Sequence, residues 1–82
     1  MTLSLQPVRI RTESSDEEGQ LVMAEGLLVA ILIQLSADHG AEAGHWFLEV
    51  GFGNLGYPRP APFLDLTDAL AWITTQAGQR SS

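Results

Sequence analysis

The amino-acid sequence predicts an α+β fold: an antiparallel meander of three or four strands with one C-terminal helix packed on one face, in the order β-β-β-β-α. Three observations predict it. Residues 27–35 (LLVAILIQL) form the longest apolar run and follow Glu25-Gly26, a pair suited to a tight turn. Residues 45–53 (HWFLEVGFG) alternate bulky apolar side chains with others. A stripe at helical spacing then opens behind Asp65. The 82 residues predict a single small domain with a frayed tail at 79–82, near the size at which one core is only marginally sufficient.

The central run has a helical competitor, since Leu21, Leu28, Ile31, Leu32 and Leu35 would share one helix face. Val29, Ile31 and Ile33 are β-branched at period two, Gly26 would cost a helix about 1 kcal/mol, and Gln20 is a poor N-cap, so the strand is preferred. Leu27, Val29, Ile31, Ile33 and Leu35 then point one way, and Leu28, Ala30, Leu32 and Gln34 the other. Both faces are largely apolar, so both should be covered. A single 13-residue helix covers only one.

In the first segment Val8 and Ile10 alternate with Arg9 and Arg11, as in a half-buried strand, and Pro7 suits its start or an edge position. Residues 13–19 (ESSDEEG) read as a solvated acidic loop. The alternative, a divalent-cation site from Asp16, Glu17 and Glu18, lacks the ligand spacing of a calcium loop. Residues 20–24 pair with the central run through Glu25-Gly26, either as a hairpin or as one long strand bulged at Gly26. Residues 36–44 (SADHGAEAG) connect a longer hairpin. In the next strand Trp46, Leu48, Val50 and Phe52 form a core face, with His45, Phe47 and Glu49 on the other. Glu49 would oppose Arg9 or Arg11 if their strands were neighbours.

Residues 54–62 (NLGYPRPAP) hold three of the four prolines and predict an ordered crossover back over the sheet. Asp65, followed by Asp68, predicts the N-terminus of a helix. Leu66, Ala69, Leu70, Ile73 and Ala77 form its buried stripe, Gly78 ends it, and Trp72 falls outside the stripe. The run FLDLTDALAWI at residues 63–73 resembles the helix start that follows a short sheet in HicB-like antitoxin domains. The Pro-Gly-Cys turn of many of those domains is missing and the strands are arranged differently, so no membership is assigned.

Composition excludes several functions. Ten acidic residues face four dispersed Arg and no Lys, a formal charge of −6. That balance predicts no nucleic-acid partner and no anionic membrane partner, while a basic protein would be attracted. The absence of cysteine removes disulfides, thiolate metal sites and thiol nucleophiles. The first residues lack the pattern of a signal peptide, and the apolar run is too short to span a bilayer, so a cytoplasmic location is expected.

Chemistry-bearing motifs are few. Residues 51–56 spell GxGxxG after a strand, but Pro58 and Pro60 follow where a dinucleotide fold needs a helix, so the glycines are read as a bend. His39, Glu42, His45 and Glu49 form the only metal-like or acid/base cluster. Of these, His39, His45 and Glu49 carry the alternative reading, a small ligand- or metal-binding enzyme. No nucleophile elbow is present. Phe47, Tyr57, Arg59 and Trp72 are the candidates for an interaction surface, because aromatics and Arg are enriched in interface cores. The functional expectation is a non-catalytic interaction or regulatory module without a cofactor. It would be a homodimer through the surplus apolar sheet face or through an edge, with another, basic protein as the other candidate partner.

Overall fold

The computed structural model describes residues 2–11, 16–56 and 58–78. It is a four-stranded antiparallel sheet with a C-terminal helix, the α+β arrangement expected. Strands β1 (Leu3–Arg9), β2 (Glu18–Ala24), β3 (Leu27–Gln34) and β4 (Trp46–Gly51) lie in chain order across the sheet, and α1 (Leu66–Gly78) closes one face.

The β2–β3 hairpin is built as Glu25-Gly26 predicts. Glu25 has φ 54° and Gly26 φ 84°, the two positive angles of a type I′ turn, which matches the twist of the flanking strands. The irregularity sits elsewhere: the β2–β3 register shifts between Val22 and Met23, so Gly26 is not a bulge. The longer β3–β4 connection is also closed, by Leu35 N–H donating to the His45 carbonyl and Gly44 N–H to that of Leu35, both at 2.8 Å. Within it Ala37–Glu42 forms 3-10 turns interrupted at Gly40, whose φ is 60°, and the first is begun by the Ser36 hydroxyl accepting from Asp38 N–H at 3.3 Å.

Core and open face follow from register. Leu5, Val22 and Ala30 are successive cross-strand partners, as are Gln20, Leu32 and Leu48. Val22, Ala30, Leu32 and Leu48 pack with Trp46, Leu55, Ala69 and Ile73 as the core beneath α1. The alternating rows point the other way: Gln6–Leu21–Ile31–Val50 and Val8–Gly19–Ile33–Phe47. On that second face Ile33 is buried, whereas Leu21, Ile31 and Val50 are half-buried.

Two assignments in the fourth strand need correction. Leu48 pairs with Leu32, but the register then shifts, and Val50 pairs with Ile31. The extra residue, Glu49, turns Val50 onto the face opposite Leu48. Phe52, expected in the core, lies beyond the strand and is 48% exposed. Strand order also separates Glu49 from Arg9 and Arg11, since β1 and β4 are opposite edges. Arg9 instead meets Glu17 at 2.8 Å and its cross-strand neighbour Glu18 at 3.1 Å. The first strand begins earlier than the alternation suggested, and Pro7 lies within it, which an edge strand tolerates because alternate N–H groups there have no partner strand.

The helix is where Asp65 places it. The Asp65 carboxylate accepts from Asp68 N–H at 2.9 Å, satisfying one of the orphan donors of the first turn. Ala69, Ile73 and Ala77 are buried, with Leu66 and Leu70 half-buried beside them. Among the described residues no helix is long and apolar enough to cross a membrane.

Candidate functional site

A concavity of about 360 Å³ opens at the end of the sheet farthest from the Glu25-Gly26 turn. Its apolar floor is Ile33, Leu35, Phe47 and Pro62. Ile33 and Leu35 come from the end of β3 and just beyond it, and Phe47 is the cross-strand partner of Ile33. Ile33 and Leu35 are 4% and 7% exposed, so these two apolar side chains on the face away from α1 are covered within the chain. The polar rim is Asp16, His39, Glu42 and Glu49.

Asp16 ties two loops together. One carboxylate oxygen accepts from Ser36 N–H at 2.8 Å, and the other lies 2.7 Å from His39 Nε2. The Ser36 hydrogen bond, more than the imidazole, holds its carboxyl below the usual carboxylate range, against a desolvation that acts the other way. The Asp16 side chain is only 14% exposed, so the expectation of a wholly solvated acidic loop does not hold at this position. Thr12 to Ser15 lie outside the described residues. A divalent site from Asp16, Glu17 and Glu18 is not formed, because Asp16 turns to Ser36 and His39 while the two glutamates turn to Arg9.

Of the acid/base cluster, the fold brings His39, Glu42 and Glu49 to one rim, and His45 is not among the lining residues. His45 is held through its backbone, its N–H donating to Glu42 O at 3.0 Å. Among the described residues no group of three or more His, Asp or Glu is placed to hold a metal ion.

The crossover brings Arg59 to the β4 edge. Its Nη1 donates to the Leu48 carbonyl at 2.7 Å and to that of Glu49 at 3.2 Å, and its guanidinium stands 5.2 Å from the centre of the Phe47 ring. Arg59 and Phe47, both candidates for an interaction surface, therefore meet each other. Phe63 extends the same edge, exchanging two backbone hydrogen bonds with Trp46 at 2.7 and 2.8 Å. Trp72 is half-buried against the core, with the Phe63 ring 5.7 Å away, so the crossover covers much of it. Tyr57 lies outside the described residues. The GxGxxG run ends in a 3-10 segment, Gly53–Gly56, whose Leu55 is 3% exposed and belongs to the core.

Sequence reasoning missed the exposed apolar group at the turn end: Leu27 at 70%, Leu28 at 37% and Phe52 at 48%. Phe52 N–H donates to Val29 O at 3.1 Å, which sets it beside the start of β3. The position of Leu27 and Leu28 next to the turn was the available signal.

Comparison with models of known protein families, with curated proteins and with solved structures gives no match.

Proposed function

We propose that the chain is a small, non-catalytic protein-interaction module that associates with a second copy through the sheet face opposite α1. The observation that carries this reading is the row Gln6–Leu21–Ile31–Val50, which has no charged member and points away from the helix. Leu21, Ile31 and Val50 are only half-buried, where a wet sheet face would carry polar residues. The exposed Leu27, Leu28 and Phe52 extend the apolar surface at the turn end.

Face-to-face packing is favoured over edge pairing. The β4 edge is partly taken by Phe63 and by the Arg59 guanidinium on two carbonyls. The β1 edge contains Pro7, which cannot donate to an added strand. A domain of this size also gains proportionally more from covering a face than a large one does. The enzymatic alternative through His39, His45 and Glu49 has less support, since His39 is engaged by Asp16 and His45 stands outside the concavity.

The test is solution mass by size exclusion with light scattering over a range of concentrations, for the wild type and Ile31→Lys. A wild-type dimer and a folded Ile31→Lys monomer are expected. A wild-type monomer at every concentration refutes self-association.

A further inference from the structure

The geometry points to a second use of this fold, beyond self-association: the concavity walled by Ile33, Leu35, Phe47 and Pro62 and rimmed by Glu42, Glu49 and the Asp16–His39 pair receives an arginine side chain from a basic partner protein. It lies at the opposite end of β3 from Leu27 and Leu28, and its floor residues Ile33 and Phe47 belong to the row next to Gln6–Leu21–Ile31–Val50 on the same face, so it borders the proposed self-association surface.

Shape, polarity and charge agree on that occupant. About 360 Å³ is near the lower limit for small-molecule sites and suits one side chain better than a large ligand. The floor is apolar and the rim carboxylate, which is the division of an arginine: a hydrocarbon stem ending in a charged planar head. Asp16 is already engaged by Ser36 and His39, whereas Glu42 and Glu49 form no ion pair with another described residue. A guanidinium pairs with carboxylates through two parallel N–H donors, which an ammonium cannot do. Phe47 already serves as a platform for one guanidinium, that of Arg59. Arg59 adds one positive charge nearby, but three rim carboxylates and a chain charge of −6 outweigh it.

The experiment titrates the ¹⁵N-labelled full chain with N-acetyl-arginine methylamide, using the citrulline derivative as the neutral near-isostere and the lysine derivative as the other cation. Saturable shifts are expected at the amides of Ile33, Leu35, Phe47 and Glu49 with arginine, weaker ones with lysine, and none with citrulline. Added salt should weaken the binding, and the double substitution Glu42→Gln with Glu49→Gln should weaken it about five- to tenfold while leaving the rest of the spectrum in place. The proposal is overturned if citrulline acts like arginine, if the shifts map elsewhere, or if no saturation appears below about 50 mM. Light scattering on the same samples reads self-association separately, so a monomeric chain that binds arginine would sink the dimer and keep this site.

Discussion

Removing the Arg59 guanidinium should destabilise the chain by about 2 kcal/mol, although Arg59 is an exposed loop residue for which a change within about 0.5 kcal/mol would be ordinary. The magnitude follows from three contacts. The 2.7 Å hydrogen bond to the Leu48 carbonyl is part-buried and charge-assisted, a class with a net contribution of about 1.5–3 kcal/mol, and exposure of the side chain places it at the low end. The 3.2 Å bond to Glu49 is longer, fully exposed, and adds little. The ring of Phe47 at 5.2 Å adds about 0.5–1 kcal/mol. For a domain of this length the sum corresponds to a fall in Tm of roughly 8–16 °C. Urea unfolding of the wild type, Arg59→Ala, Arg59→Lys, Phe47→Leu and the Arg59→Ala/Phe47→Leu pair, at one protein concentration, separates these contributions. Lysine keeps the charge but not the fork, so it should recover only part of the loss. The double-mutant cycle should give a coupling of about 0.5–1 kcal/mol. An Arg59→Ala chain as stable as the wild type, or strictly additive effects, would refute the view that this guanidinium fastens the crossover to the β4 edge.

Two further substitutions probe the interior. At pH 7 Asp16→Asn should be less stable than the wild type. Because the folded carboxyl lies below its ordinary value of 3.8, that contribution is complete above about this pH and is lost as pH falls through the depressed value. Unfolding measured from pH 7 downward should therefore show the gap closing in acid, and a constant gap would refute the assignment. Gln20→Met removes a buried side-chain oxygen, Oε1, that has no hydrogen-bond partner among the described residues. A gain of about 1 kcal/mol is expected in thermal unfolding, and a loss would mean that the oxygen is satisfied.

Local signals made the elements legible, and long-range pairing decided most of the rest. Glu25-Gly26, the period-two run after it and the Asp65 cap each specify their structure within a few residues, so hairpin, strand and helix form where expected. Val50 was misplaced because a bulge shifts facing by one residue without leaving a mark in the alternation, and Glu49 was set against Arg9 or Arg11 because strand order is not written in local pattern. Phe52 is exposed where a core position was expected, and Trp72 is half-buried, for a related reason: what covers a side chain depends on where the chain runs after the crossover, and Phe63 lies beside Trp72. The rim of the concavity was half legible. Gly19 pairs with Ile33, and extending that register through three more residues sets Asp16 opposite Ser36, whose N–H it accepts. Counting outward from the turn sets Asp16 opposite Leu35, one residue short of Ser36, because the register shift between Val22 and Met23 leaves no mark in the sequence.

The two proposed uses of the fold follow from one distribution of charge. Among the described residues, the acids stand at the ends and loops, at Asp16, Glu17, Glu18, Glu25, Asp38, Glu42, Asp65 and Asp68, and at the bulged Glu49. The row Gln6–Leu21–Ile31–Val50 carries none. Two copies at −6 each repel, and they can meet only through a surface where no carboxylate is desolvated by the contact. The uncharged row meets that condition, whereas the concavity end does not. There the same carboxylates attract a cation, over a range set by a Debye length of about 8 Å at physiological ionic strength. Salt should therefore act on the two associations in opposite directions, screening the repulsion between copies while weakening the hold on an arginine. A dimer that dissolves as salt rises would place charged groups inside the interface, and the uncharged row could no longer be its centre.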